Sequence, residues 1–179
     1  MLLVVAATSR ELSFVEGAAT LKCGIGPVEA AASTARALTE LRPSALINIG
    51  LAGARGIEPP TIVIGAESIY SDLRAAIPVQ VLVKPDADLL AMARKALPNA
   101  LVATIGTSAR VGGTTVVDVE AMEGFGVLRA AELARVPAIE IRAVSNDVDE
   151  PDRSKWRFDE ALAALAAALP LLLEAMKSR

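Results

Sequence analysis

The chain has no histidine and a single cysteine, Cys23. Without histidine there can be no Ser-His-Asp triad, no histidine general base and few of the usual catalytic zinc sites. Acid–base chemistry falls to carboxylates. One cysteine excludes an internal disulfide and suits a reducing cytoplasm. Aromatic residues make up only 3% of a chain that is 53% apolar, so the core has to be built from Ala, Val, Leu and Ile. That composition predicts close-packed helices over a β-branched sheet. A basic excess is missing as well: the net charge is −3, which argues against nucleic acid as a partner. The apolar run Ala161–Leu173 falls short of the ~20 residues that span a bilayer, contains Pro170, and reads as a buried C-terminal helix. Met1–Ala7 is too short, and lacks the basic flank, for a signal peptide. A soluble, cytoplasmic protein without a membrane partner is expected. Nucleotide-phosphate motifs are lacking too. No Walker sequence occurs, and Gly24-Ile25-Gly26 has Glu29 where a dinucleotide fingerprint needs a small residue, so it reads as a tight strand-to-helix turn.

What remains is an alternation of strands and helices. Leu2–Ala7 and Ala45–Leu51 are continuous apolar runs, as in strands covered on both faces. Thr20–Ile25, Thr61–Tyr70, Val79–Val83 and Ala100–Gly106 read as further strands. Pro27 opens a helix with apolar residues at helical spacing, and Asp86 caps one running to about Leu97. The pattern predicts one domain over residues 1–179, a three-layer α/β/α sandwich around a mixed, mostly parallel sheet, with no repeat or linker and no low-complexity tail beyond Lys177–Arg179. At 179 residues the chain is long enough for a sizeable core.

The chain is organised around Val116–Asp152. The spacing predicts a helix carrying Glu120 and Glu123 on one face, then a turn at Pro137 and an apolar strand, Ala138–Ser145, ending in Asn146 and Asp147. Polar groups at a strand's carboxyl end are where open α/β sheets place their chemistry. Neighbouring strand residues point to opposite faces, so one of Asn146 and Asp147 enters any pocket there. Gly124 and Gly126 each cost a helix interior roughly 1 kcal/mol relative to Ala, so something is expected to pack tightly against that surface. Glu11 lies just beyond the first strand's carboxyl end, and Gly50, Gly53 and Gly56 flank another, where backbone could approach a small ligand. Trp156 and Phe158 are expected in the core.

The words VVAATSREL, CGIGPVEAA, NIGLAGA, MEGFGV, VSNDV and DRSKWRFDEAL, in this order and spacing, resemble the purine nucleoside phosphorylase and nucleosidase superfamily, and within it the futalosine hydrolases of menaquinone biosynthesis. The resemblance covers nearly the whole chain. It implies an α/β/α homo-oligomer that cleaves the N-glycosidic bond of a nucleoside, with neither metal nor organic cofactor. Carried over residue by residue, it implies that Glu11 activates the water, and that Glu123 grips the ribose hydroxyls with Met122 packed on the sugar. Asn146 would then contact the departing base, Val111 would line the base with its backbone, and Ala52 and Gly53 would form the turn near the nucleophile. Phe125, beside Met122, is counted with the substrate-binding residues. Arg110 stands where many relatives stack an aromatic residue on the base; a guanidinium there could stack or pair with a substrate carboxylate such as the benzoate of futalosine. Leu51 replaces the hydroxyl with which phosphorylases bind phosphate, which argues for water. Ala121 replaces an acidic residue, leaving Glu120 without an assigned role.

Asn146 also bears on the base. Hypoxanthine offers a donor at N7–H and an acceptor at O6, which suits an amide, whereas adenine offers two donors and suits an acceptor-only carboxylate. Asn146 therefore favours a 6-oxopurine, and the resemblance then makes the reading a futalosine hydrolase releasing hypoxanthine. The alternatives are a methylthioadenosine, S-adenosylhomocysteine or aminofutalosine nucleosidase, a purine nucleoside phosphorylase, or a nucleoside-binding module without catalysis.

Overall fold

The computed structural model describes residues 1–177, so Ser178 and Arg179 of the expected tail lie outside it. Its elements run β1 (Leu2–Ala6), α1 (Ser9–Leu12), β2 (Ala19–Lys22), α2 (Pro27–Leu41), β3 (Ala45–Ala54), β4 (Ile62–Tyr70) and β5 (Leu82–Val83). They continue with α3 (Ala87–Ala96), β6 (Leu101–Thr107), β7 (Val119–Ala121), α4 (Gly124–Ala134), β8 (Ala138–Asp147), a 3₁₀ turn (Arg153–Lys155) and α5 (Phe158–Met176). The strands form one mixed sheet, with helices on both faces. β1 pairs in parallel with β2 and β3, and β3 in parallel with β8. β8 continues antiparallel to β4, β4 parallel to β6, and β6 parallel to β7, while β7 returns antiparallel to the carboxyl end of β3. Among the described residues no helix is long and apolar enough to cross a membrane.

The period-2 alternation of the strands divides the core. Val4, Ala6, Ile47 and Ile49 face one side, against Leu89 and Ala93 of α3 and Leu165, Leu169 and Leu172 of α5. Leu3, Val5 and Leu46 face the other, against Leu38 of α2 and Val127, Leu128 and Ala131 of α4. Side chains this small let helices lie close to the sheet. Gly126 shows how close: a Cβ there would fall on the backbone carbonyl of Pro27, so α4 can cross the start of α2 only without one.

Three expectations are corrected. Glu120 and Glu123 do not share a helix face. Val119–Ala121 is a strand, Glu123 is the N-cap residue, and the helix starts at Gly124. Val119 is β-branched, and both edges of the short strand are filled by β3 and β6, so tertiary pairing overrides the local helical spacing. The strand predicted over Val79–Val83 shrinks to Leu82–Val83, paired with β4 alone. Trp156 and Phe158 are only half-buried and line a cavity instead of the core.

Candidate active site

A cavity of about 320 Å³ opens at the carboxyl ends of β1, β3 and β8, and Glu11, Glu123 and Asn146 all line it. Residues far apart in sequence are thus brought together by strand ends that the sheet sets side by side. Ala52, Gly53, Val111 and Met122 line the same cavity, as does Glu120.

Glu11 sits in the first turn after β1. Thr8 caps α1, accepting from the Glu11 backbone N–H at 3.3 Å, and the Glu11 carboxylate reaches back to Thr8. Oε2 accepts from the Thr8 N–H at 3.0 Å and the Thr8 hydroxyl at 2.7 Å, and Oε1 from the Leu51 N–H at 3.2 Å. A capping box therefore aims this carboxylate as well as starting its helix.

Glu123 is held from two sides. Its Oε1 accepts from the Gly26 N–H at 3.1 Å, and its Oε2 lies 3.4 Å from Nη1 of Arg142. The Gly24-Ile25-Gly26 turn thus aims a backbone donor into the site, and Gly26, at φ 93°, is in a conformation that favours glycine. Burial raises the Glu123 carboxyl above its ordinary range; Arg142 and the Gly26 N–H oppose the shift, while the nearby Glu11 and Glu140 add to it. Cys23 belongs to the same neighbourhood. Burial first, and Glu123 next, push its thiol up to about 12.

Arg142 is the centre of a buried network. Its Nε donates to Glu140 Oε1 at 2.8 Å and its Nη2 to Asn48 Oδ1 at 2.8 Å. Burial works against the guanidinium charge, but Glu140 and Glu123 outweigh it and hold Arg142 above its ordinary value. The glycines around it make room for side chains, not for a ligand. A Cβ at Gly50 would collide with Arg142 and lie 2.9 Å from Glu11 Oε1, and one at Gly124 would fall on the Glu140 carboxylate. The sequence reading passed over Asn48, Glu140 and Arg142. The available signal was Glu140 and Arg142 two apart in an apolar strand, hence on one face, where buried charges must be paired.

At the other end stands Asn146. The register of β8 against β3 slips between Ala52 and Gly53, so that Asn146 pairs with Gly53. Such irregularities re-aim a side chain. Asn146 Oδ1 accepts from the Ser145 hydroxyl at 2.8 Å and Nδ2 donates to the Asp147 carbonyl at 2.8 Å. Its amide lies over Gly53, where a Cβ would come within 3.0 Å of Nδ2. The neighbouring Asp147 is exposed.

Two expected contacts are absent from the cavity wall. Arg110 is exposed on the loop after β6, and the cation at the rim is instead Arg10, ion-paired with the exposed Asp159. Phe125 is turned into the core, where it stacks on Tyr70 at 5.3 Å, because its position on α4 faces the sheet. Ile25, Leu51, Trp156, Phe158 and Leu162 complete an apolar wall that only the fold assembles.

The sequence and the fold have counterparts. The family model described as the phosphorylase superfamily matches residues 13–177. The futalosine hydrolase of Streptomyces coelicolor is 37% identical over 187 aligned positions, which cover 88% of this chain and 79% of that protein. The native structure of Helicobacter pylori futalosine hydrolase superposes with a TM-score of 0.88 at 13% identity, covering 98% of this chain and 97% of the other. The Streptococcus pneumoniae MTA/SAH nucleosidase, in complex with 8-aminoadenine, gives 0.84 at 23% identity, with 98% and 99% covered. At such identities the two superpositions speak for the fold, while the sequence matches speak for the lineage. The chain belongs to the phosphorylase superfamily, as an enzyme of its futalosine hydrolase-like N-glycosyl hydrolase branch.

Proposed function

We propose that this chain is a futalosine hydrolase, releasing hypoxanthine in menaquinone biosynthesis, as a cytoplasmic homo-oligomer that needs no metal or organic cofactor. The observation that carries the reading is the state of Asn146. An amide has two donor hydrogens and two acceptor lone pairs. Ser145 takes one acceptor site and Asp147 one donor, which leaves one of each for a ligand. That remaining pair complements N7–H and O6 of a departing hypoxanthine. Adenine, with donors at both positions, would leave an amide hydrogen facing an amino group.

The chemistry follows from the other residues. Glu11 takes a proton from water as the water oxygen bonds to C1′ and the bond from C1′ to N9 breaks; the base leaves with the electron pair and takes a proton from solvent at N7, and Glu11 afterwards returns its proton to solvent. Positive charge develops on the sugar, where the Glu123 carboxylate, beside Met122, stabilises it and binds the ribose hydroxyls. Leu51 offers no hydroxyl to a phosphate, which favours water as nucleophile. The half-open wall of Trp156 and Phe158, whose rings lie 5.5 Å apart, suits a planar aryl group. Arg10, whose exposed ion pair with Asp159 is weak, is the cation available to the benzoate, the part considered for Arg110 from sequence.

The test is to incubate the pure protein with futalosine, aminofutalosine, methylthioadenosine and S-adenosylhomocysteine, with and without phosphate, and to identify the base and sugar released. Hypoxanthine from futalosine without phosphate is the expected result. Adenine release with futalosine untouched would move the chain to the adenine nucleosidases, and a phosphate requirement to the phosphorylases.

A further inference from the structure

We propose that Glu120 is a positioning residue that sets base recognition by fixing the backbone of the loop between β6 and β7. Both of its oxygens are occupied. Oε1 accepts from the Gly112 N–H at 2.8 Å, and Oε2 from the N–H groups of Thr114 at 2.8 Å and Thr115 at 3.1 Å and from the Thr114 hydroxyl at 2.9 Å. This buried carboxylate has far less left for a ligand than Glu123 has. It gathers the loop into a tight bend, with Gly112 at φ 95° and Gly113 at φ 66°. The bend lies against the residues that follow Asn146: a Cβ at Gly112 would be 3.5 Å from the Val148 carbonyl, and one at Gly113 3.0 Å from Asp149 Oδ1. Val111 and Gly112 are thereby presented to the cavity together with Asn146.

A second carboxylate anchors the start of the loop. Asp72 accepts from the Ser108 hydroxyl and the Ala109 N–H, and the Ser108 oxygen in turn accepts from the Arg110 N–H at 3.0 Å. That anchor keeps the loop attached when Glu120 is altered, so a change at Glu120 should shift the Val111–Gly112 backbone without unfolding the chain. Glutamine cannot substitute. Whichever way its amide turns, an NH₂ group meets backbone N–H donors and leaves them unpaired.

The inference rests on the base-releasing reading above, but its test does not depend on which base is released. In the full-length protein, Glu120→Gln should weaken hypoxanthine binding about tenfold, the loss expected when charge-assisted hydrogen bonds holding a contact surface are broken. Binding of the base-free sugar product and the thermal midpoint should stay within about twofold and a few degrees respectively. Gly113→Ala, which disturbs the bend without adding an atom to the cavity, should weaken base binding in the same direction, and decides the matter if Glu120→Gln does not fold. Unchanged base affinity in both variants, or an equal loss for base and sugar products, overturns the proposal. If the parent protein binds and releases adenine instead, the choice of substrate fails, while the same tenfold loss measured with adenine still supports Glu120.

Discussion

The two ends of the cavity are built from acidic residues only three positions apart, yet they work on different principles. At the Glu11–Glu123 end, Glu123 is buried with few partners, one backbone N–H and one guanidinium, while Glu11 accepts from the Thr8 N–H and hydroxyl and from the Leu51 N–H. At the Asn146 end, Glu120 also lines the cavity but takes four donors from a single loop, one on Oε1 and three on Oε2. A buried carboxylate with unfilled acceptor sites on a cavity is free to act on a substrate. One whose sites are filled by the backbone of a single loop holds that loop. On the proposed mechanism this distinguishes Glu123 from Glu120 where sequence spacing alone cannot.

The largest effect that would sharpen this contrast is expected at Glu11. Glu11→Gln should lower the single-turnover rate about a thousandfold while product binding changes little, since a general base contributes to the reaction and not to ground-state affinity. A mutant of equal activity would remove Glu11 from the chemical end. Next comes Arg142→Met, which leaves Glu140 and Glu123 buried without their cation and should cost about 3 kcal/mol or more in denaturant unfolding. A loss of activity with unchanged stability would mean that Arg142 is more than scaffolding. At the other end, Asn146→Asp should shift kcat/KM by about tenfold toward adenine nucleosides, because an acceptor-only side chain suits the 6-amino group. An unchanged ratio would break the base-matching argument.

The smallest effects are electrostatic. On the proposed mechanism Glu123 acts on the sugar cation in its ionised form, and burial holds its carboxyl above the usual range. As pH falls through that raised value the residue takes up a proton and activity is lost. The acid limb of kcat/KM should therefore lie above about 4.3, the ordinary glutamate value. A limb at or below that value would show that the Glu123 carboxyl is not raised or that its ionised form is not needed. Cys23, its thiol pushed up to about 12, should ignore thiol reagents at neutral pH in the folded protein and react once unfolded.

Glu11, Glu123 and Asn146 were the more legible in sequence. Glu11 follows an apolar run that could only be a covered strand, and Asn146 ends another. Glu123 was also found, although the local pattern suggested the wrong element for it: a helical spacing from Glu120 to Glu123 does not reveal that Val119–Ala121 fills a gap between β3 and β6. Arg110 and Phe125 were misplaced for a related reason. A loop residue's direction, and the face of a helix turned to the sheet, depend on partners distant in the chain.

Composition and local pattern by themselves determined that no histidine is available for acid–base chemistry, that the core is aliphatic, and that strands alternate with helices, because these depend on residue type and on periods of two and 3.6. Tertiary structure alone decided that Arg142 joins Glu140, Glu123 and Asn48, that the Gly26 amide reaches Glu123, and that Glu120 holds the loop between β6 and β7. Each of these is a contact between side chains and backbone brought together by strand order and register, and a charge buried there survives only through partners that the linear chain keeps far away.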